Sequence, residues 1–387
     1  MFKEGEIVEA IYLDHAATSP VHPDVVEVMI PSLKENFGNP SSIHRFGRSN
    51  RHVLDEARST IASSVGAHPK EIVFTSGGTE ADNMAIIGTA MANKDKGKHI
   101  ITSQVEHHAV LHACEHLETL GYEVTYLPVN KEGRVSVEEL KAALREDTVL
   151  VTVMYGNNEV GTVQPIKEIG ELLQERNITF HTDAVQAYGL LDIDVTELSV
   201  DLMSVSAHKI NGPKGIGFLY VKEKTNLAPF LYGGEQERKR RAGTENVAGI
   251  VGFEKAVQIM QAEKQKKTEL YLSFQKEMLA VFGREGIDYK VNGDPEHYLP
   301  HILNVSFPGV SVESLLTNLD LAGIAVSSGS ACTAGSLEPS HVLTAMHGET
   351  DRAFSAVRFS FGLGNTTEQV TKAAEETVKV VKRLKAL

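Results

Sequence analysis

Groups capable of chemistry follow three runs of this sequence that are typical of β-strands. The run "EIVFT" precedes the Gly-rich "SGGTEADNMA", "ITFHT" precedes Asp183 with Gln186 three residues later, and "DLMSVS" precedes "AHKINGPKG", which contains Lys209. In open α/β sheets, ligands bind outside the carboxyl ends of the strands. We therefore expect these groups to meet in one site.

The Gly-rich turn is suited to an anion. Glycines and a hydroxyl that lead into a helix leave backbone N–H groups and a favourable dipole for a phosphate. The turn contains neither GxGxxG nor GK[ST], so a dinucleotide or a nucleoside triphosphate is not indicated. Taken alone, the turn has the simpler explanation of an N-capping turn, and Asp183 that of a helix cap.

Lys209 and Asp183 add two complementary functions. A lysine that follows a buried strand is desolvated, so its pKa falls and it can act as an amine nucleophile and base. On its own, Lys209 has the alternative explanation of a surface lysine. A phosphate cradle, an aspartate that keeps a pyridine nitrogen protonated and a lysine that forms a Schiff base are what pyridoxal phosphate requires of a protein. The three signals together predict that cofactor.

Histidines cluster after another strand-like run, in "QVEHHAVLHACEHL". His107 starts the helical pattern there, where an imidazole would stack on the cofactor ring or transfer protons. His108, His112 and His116 recur every four residues and share one helical face. A metal site would need a fourth ligand of suitable spacing, and none is evident, so a solvated polar face is favoured. Cys114, in the middle of this helix, is predicted to be a small core residue.

The second cysteine, Cys332, lies in "SSGSACTAGSLEPSH". Cysteine is among the most buried residue types, yet this run of Ser, Gly, Ala and Thr is too small to form a core and too flexible for a stable helix. Such residues would let Cys332 move between two places, and Pro339 would mark where the segment joins the next helix.

Composition and charge exclude several classes of protein. The 387 residues include 38 Lys and Arg against 51 Asp and Glu, a net charge of −13, so nucleic acid is not expected as a direct ligand. No apolar run approaches the length of a membrane span. Two cysteines form no disulfide framework, and the first residues lack the pattern of a signal peptide, so a reducing, cytoplasmic location is expected.

The order of elements predicts an α/β fold. Between about residues 50 and 220, short β-branched runs alternate with amphipathic stretches such as "IKEIGELLQERN", which indicates a doubly wound layer with a mostly parallel sheet. Near residue 253 a long helical stretch begins. It is followed by the strand-like "HILNVSF" and by a helix from Glu368 to Leu387, which predicts a second, smaller α+β domain.

The motifs resemble, in order and over essentially the whole chain, the NifS/IscS-type cysteine desulfurases, which are class V, fold-type I pyridoxal-phosphate enzymes. They are "YLDHAATSP", "FGNPSSIHRFGR", "FTSGGTEADN", "EHHAVL", "YGNNEVGTVQPI", "HTDAVQA", "SAHKINGPKGIGFLYV", "RAGTEN", "SSGSACTAGSLEPSHVL" and "VRFSFG". The combination of "SAHK" with "SGSAC" is specific, because related lyases and transaminases share only the first. One departure is His15, where Asn is common in the family.

The resemblance implies a large cofactor-binding domain (residues 15–258) with a seven-stranded, mostly parallel sheet, and a small α+β domain (residues 1–14 and 259–387) that carries the Cys332 loop. It also implies roles for individual residues. Those implied for catalysis are Lys209, Cys332 and His107. Those implied for the cofactor are Gly78, Thr79, His107, Asp183, Gln186, Ser206, His208, Lys209 and, from the other subunit of a homodimer, Thr244. Those implied for the substrate are Asn158 and Arg358.

The reaction implied is conversion of L-cysteine to L-alanine through a pyridoxal-phosphate aldimine, with a persulfide formed on Cys332. An acceptor protein for iron–sulfur cluster assembly or tRNA thiolation would then take the sulfur. The enzymatic alternative is a selenocysteine lyase or a related lyase or aminotransferase, which would not need Cys332. A protein that only relays sulfur is a second alternative, disfavoured by Lys209, Asp183 and Arg358 together.

Overall fold

The computed structural model describes residues 10–328 and 339–386. Its strands are β1 (Ile11–Tyr12), β2 (Ile72–Thr75), β3 (His99–Ser103), β4 (Glu123–Leu127), β5 (Thr148–Thr152), β6 (Thr179–Asp183), β7 (Leu202–Ser206), β8 (Gly217–Val221), β9 (Lys290–Asn292), β10 (Ile302–Ser306), β11 (Ile324–Ala325) and β12 (Ala356–Ser360). Its helices are α1 (Pro23–Glu35), α2 (Arg45–Ser63), α3 (Gly78–Ala92), α4 (His108–Thr119), α5 (Val137–Ala143), α6 (Ile166–Leu173), α7 (Val247–Arg284), α8 (Val312–Leu321), α9 (His341–His347), α10 (Asp351–Phe354) and α11 (Thr367–Lys385).

A seven-stranded sheet forms the centre of the molecule. The strands lie in the order β2-β8-β7-β6-β5-β3-β4, and β8 runs antiparallel to both of its neighbours while the other pairs are parallel. The predicted mostly parallel α/β sheet is therefore confirmed. The parallel order brings the carboxyl ends of β3, β5, β6 and β7 to one edge.

Helices cover both faces of this sheet. The strands β2, β5, β7 and β8 contain only buried residues, as expected of strands enclosed between two layers of helices. The strands β2, β5 and β8 consist mostly of β-branched, aromatic and other apolar residues. Sequence patterns predict such strands well. Their core extends from Val25 on α1 to Met260 on α7.

A smaller α+β part lies beyond the first half of α7. The strands β9, β10 and β12 form an antiparallel sheet in the order β12-β10-β9, and β1 pairs in parallel with β11. Its core combines Ile11 and Leu13 with aromatic side chains such as Phe274 and Phe359. Residues from both ends of the described chain thus share one core.

No helix within residues 10–328 and 339–386 is long and apolar enough to cross a membrane.

A buried ion pair ties α2 to the loop between β8 and α7. Nη1 and Nη2 of Arg58 donate to the two carboxylate oxygens of Glu237, at 2.7 and 2.6 Å. The backbone N–H of Phe74 donates to the same carboxylate at 3.0 Å. Glu237 starts three consecutive residues with positive φ (45°, 56° and 66°), a conformation that residues other than Gly rarely adopt. The ion pair therefore holds a strained loop in place.

We predict that Glu237→Ala destabilises the fold by about 3–5 kcal/mol, because Arg58 is left buried and uncompensated. Glu235→Ala is the matched control: this neighbouring carboxylate is 78% exposed and pairs with Lys239, so its loss should cost less than about 1 kcal/mol. Urea denaturation followed by circular dichroism measures both. Equal effects of the two substitutions would contradict the prediction.

Candidate active site

A cavity of about 300 Å³ opens at the carboxyl edge of the central sheet. It is lined by most of the residues that the sequence singled out: Gly78, Thr79, His107, Asn158, Asp183, Gln186, Ser206, His208, Lys209 and Arg358. Thr244 is exposed and does not line this cavity. Cys332 lies outside the described residues.

One end of the cavity is the N-terminus of α3. Gly77 precedes this helix with a φ of 153° and provides no side-chain cap. A Cβ atom on Gly78 would lie 2.8 Å from Cγ2 of Val185, so only glycine lets the backbone approach here. The first N–H groups of α3, together with the hydroxyls of Thr79 and Ser206, form a cradle suited to a phosphate.

Lys209 lies in a short 3₁₀ turn, Ala207–Ile210, directly after β7. Its Nζ donates to the backbone carbonyls of Ala16 and Ala17, the latter at 2.7 Å. The turn closes with Asn211 at a φ of 64°. The residues after β1 therefore position the lysine amine at the wall of the cavity.

Asp183 ends β6, on the neighbouring strand. Its Oδ1 accepts a hydrogen bond from Val185 N at 2.9 Å, so the carboxylate closes a turn rather than capping a helix. Burial raises the pKa of Asp183 to about 6, although the Val185 hydrogen bond and Lys209 oppose this change. A cationic group opposite this carboxylate would stabilise its charged form.

Two further carboxyls are buried at the cavity, Asp82 in its lining and Glu106 next to His107, and neither was predicted from the sequence. Asp82 on α3 has Oδ1 3.7 Å from Nε2 of His181, and burial with the nearby charge of Asp183 raises its pKa well above the usual value. Glu106 accepts hydrogen bonds from Ser103 Oγ at 2.5 Å and Met154 N at 3.0 Å, and burial raises its pKa to about 8. Both acids therefore favour the protonated form at neutral pH.

His107 caps α4 and faces the cavity. Its Nδ1 accepts a hydrogen bond from Ala109 N at 3.1 Å, so this nitrogen carries no proton. Burial, reinforced by Lys209 and neighbouring histidines, lowers the pKa of His107 to about 4. At neutral pH the ring is therefore uncharged with its proton on Nε2, and it can donate a hydrogen bond from that atom.

Arg358 is a cation buried at the opposite side of the cavity, with 1% of its surface exposed. Its guanidinium donates to the carbonyl oxygen of Asn158 at 2.7 Å and to Oδ1 of Asp14 at 2.8 Å. An arginine held in this way is suited to bidentate binding of a carboxylate. Asp14 was not predicted, although it belongs to the motif "YLDH" that contains His15.

Glu159 and His341 join α9 to the cavity wall. Ser340 donates a hydrogen bond to Glu159, and Nδ1 of His341 lies 3.9 Å from the same carboxylate. Nε2 of His341 lies 2.9 Å from the carbonyl oxygen of Glu106. The sequence offered no signal for these contacts, because the partners are far apart along the chain.

The histidine row on α4 extends outward from the cavity. His108 lies between His112 and His341, with ring centroids 5.2 and 4.9 Å apart. Within the part of the chain that the structure describes, no group of three His, Cys, Asp or Glu side chains has the geometry to hold a metal ion. Cys114 is fully buried on α4, as predicted, and burial raises the pKa of its thiol.

The donor set of the cavity fits pyridoxal 5′-phosphate. The uncapped helix N-terminus suits the phosphate, the buried Asp183 suits a protonated pyridine nitrogen, and Lys209 provides an amine within the same cavity. These groups are the ones that this cofactor requires.

Comparison with known proteins gives the family. Residues 11–372 match the family described as Aminotransferase class-V. The chain therefore belongs to the class-V aminotransferase family.

Individual relatives narrow the similarity. The chain is 63% identical over 378 residues to the putative cysteine desulfurase IscS 1 of Bacillus subtilis (strain 168), covering 97% of this chain and all of the relative. It is 50% identical over 390 residues to the cysteine desulfurase IscS of Methanosarcina thermophila, covering 99% and 95%. The resemblance to the NifS/IscS-type cysteine desulfurases is thus confirmed.

Solved structures agree with this assignment. A NifS-like protein matches with a TM-score of 0.91 and 34% identity, covering 97% of this chain and 100% of that one. SspA in complex with cysteine matches with a TM-score of 0.81 and 38% identity, covering 91% and 98%.

We predict that Glu106→Gln removes a pH dependence of stability. The pKa of Glu106 rises from its usual 4.5 to about 8 on folding, so its contribution to stability is complete below the lower value and is lost as the pH rises. The unfolding free energy of the variant relative to wild type should therefore increase by about 4 kcal/mol between about pH 5 and pH 8.

Urea denaturation at several pH values measures this difference. Glu138→Gln, at an exposed position on α5, is the matched control and should show a pH-independent difference from wild type. The same flat profile for Glu106→Gln would contradict the assignment of a protonated, buried Glu106.

Proposed function

We propose that this protein is a pyridoxal-phosphate-dependent cysteine desulfurase that converts L-cysteine to L-alanine and forms a persulfide on Cys332. The observation that carries the proposal is the presence of Lys209, Asp183 and Arg358 in one cavity. This combination provides an amine, an acid and a carboxylate-binding cation within reach of one small amino acid. The names of the relatives at 50% and 63% identity support the same reaction.

The cofactor would be held by the residues already described. The N-terminus of α3 with Gly78 and Thr79, together with Ser206 and His208, would bind the phosphate, and Asp183 and Gln186 would contact the ring. Bound there, pyridoxal 5′-phosphate supplies an electron sink for the negative charge that develops at the Cα atom of the substrate.

The substrate would be oriented by its carboxylate. Arg358, fixed by Asp14 and by the carbonyl of Asn158, provides the parallel N–H groups that grip such a group. The similar SspA structure is a complex with cysteine, which supports an amino acid of this size. Asn158 lies beside the arginine and would contact the same substrate.

Proton transfers would fall to Lys209 and His107. The Lys209 amine would be the base that takes the proton from Cα of the substrate. His107 carries its proton on Nε2 because Ala109 N occupies Nδ1. The neutral ring would therefore donate a hydrogen bond from Nε2, because an uncharged imidazole gives up a proton only once its other nitrogen has been protonated.

Cys332 would accept the sulfur. Its thiolate attacks the sulfur of the substrate, the bond between that sulfur and Cβ breaks, and Cβ gains a proton. The sum is L-cysteine and a thiol giving L-alanine and a persulfide, so no external oxidant or reductant is needed. We propose that a protein of iron–sulfur cluster assembly or tRNA thiolation takes this sulfur, in the cytoplasm.

Exposed apolar side chains support a homodimer. Ile43 and Phe37 are 90% and 73% exposed between α1 and α2, beside Phe46, and Tyr232 is also exposed. Exposed apolar clusters of this kind mark protein–protein interfaces. Thr244 is exposed as well, as expected if it reaches the phosphate of the partner subunit.

Two substitutions test the reaction. Lys209→Ala should remove the visible absorbance of the bound cofactor and slow alanine formation by roughly 10²–10⁴-fold, because the base is lost. Cys332→Ser should keep that absorbance and lose alanine formation from L-cysteine. Cys114→Ser, at the fully buried thiol, is the matched control. This variant should retain alanine formation and should still form the persulfide on Cys332. A Cys332→Ser variant with full turnover would instead indicate the lyase alternative.

A second experiment tests the dimer. The double variant Phe37→Asp/Ile43→Asp should elute as a monomer of 42.2 kDa, whereas wild type should show twice this mass in light scattering. Charged side chains cannot be buried in such an interface without a large desolvation cost. Leu321→Asp, at an exposed site at the end of α8, is the control and should stay dimeric. A double variant that remains dimeric would place the interface elsewhere.

A further inference from the structure

A second, smaller cavity of about 40 Å³ lies behind Lys209. Lys209 and Gln186 line both this cavity and the active-site cavity, so they form the wall between the two. On the far side of this wall are His15 and His301, which are both buried. None of the roles assigned above uses either histidine.

The amide of Gln186 is held at both of its polar atoms. Its Nε2 donates to the carbonyl oxygen of Ala16 at 2.9 Å, and its Oε1 lies 3.1 Å from Nε2 of His301. Because a carbonyl oxygen only accepts, the NH₂ group must face Ala16 and the amide oxygen must face His301. His301 is therefore the donor in this contact.

The same carbonyl of Ala16 accepts a hydrogen bond from Nζ of Lys209. The chain of contacts thus runs from His301 through Gln186 and Ala16 to the lysine. One N–H of the Gln186 amide is used by Ala16. The second N–H remains for a ligand of the active-site cavity, which Gln186 also lines.

Burial and the neighbouring charges keep the imidazole of His301 neutral. Burial lowers the pKa of His301 to about 3, and Lys209, His15 and Arg358 act in the same direction. A neutral imidazole carries a single proton, and the contact with Gln186 requires that proton on Nε2. This tautomer makes the ring a donor of fixed direction.

We propose that His301 is a positioning residue that, together with the Ala16 carbonyl, fixes the amide of Gln186 so that its second N–H is aligned with the ring oxygen of the cofactor. The inference rests on the contact between Gln186 and the cofactor in the proposed function. Without His301, only the Ala16 carbonyl holds the amide, so the amide tilts out of this alignment and the hydrogen bond to the ring oxygen is weakened.

The pH dependence of the visible absorbance of the holoenzyme reports this contact. With the cofactor bound, its ring oxygen would share a proton with the nitrogen that links the cofactor to Lys209. A hydrogen bond donated to the ring oxygen would weaken the hold on that proton. Its loss leaves that proton more tightly held. His301→Leu should therefore raise the midpoint of the absorbance change by about 0.5–1 pH unit and weaken cofactor binding about three- to tenfold.

A double-mutant cycle decides whether His301 acts through Gln186. Gln186→Leu should shift the midpoint in the same direction, and adding His301→Leu to it should cause no further shift, because the two substitutions remove one interaction. His301→Gln, which keeps a donor, should restore the wild-type midpoint. His15→Asn is the matched control in the same cavity and should leave the midpoint unchanged, since no described hydrogen bond joins it to Gln186.

The outcomes separate this inference from the proposed function. Additive shifts in the cycle, or a His301→Leu holoenzyme with the wild-type midpoint, would overturn the role of His301. A wild-type protein that binds no pyridoxal phosphate would overturn the proposed function instead. Thermal melts establish that each variant is folded, and His301→Met replaces His301→Leu if the latter unfolds.

Discussion

The removal of water from charged groups at one edge of the central sheet is the constraint on which the site depends. Asp183 ends β6 and Lys209 follows the neighbouring parallel strand β7, and both line the same cavity. Burial raises the pKa of the Asp183 carboxyl, because a desolvated carboxylate favours its protonated form. The same burial that would destabilise these groups alone makes each of them responsive to a charged partner.

The surrounding structure offsets this cost by supplying partners of fixed geometry. Backbone carbonyls after β1 hold Lys209, a backbone N–H holds Asp183, and Asp14 holds Arg358. Asp82 and Glu106 avoid a further cost by favouring their protonated forms. The cavity therefore holds an acid (Asp183), a base (Lys209) and a cation (Arg358) at separate positions, as chemistry on an amino acid requires.

Pattern reasoning predicted the central sheet because enclosed strands appear in the sequence as short, mostly apolar runs, and several of them, such as "LMSVS", are entirely buried. It also singled out Lys209, Asp183 and Gln186, since strand ends converge on one edge in this class of fold. It missed Asp14, Glu159 and His301. Their roles arise from contacts with residues more than a hundred positions away, for which a single sequence has no signal.

The sequence by itself determined the class of fold, the family and the types of group available for chemistry, because periodicity and motif order are local properties of the chain. Only the tertiary structure decided which nitrogen of His107 carries the proton and which partners hold the two polar atoms of the Gln186 amide. These states depend on partners from distant segments, Ala109 being the exception that lies nearby. Burial, and with it the pKa of every group in the site, likewise exists only after the layers of the fold have packed together.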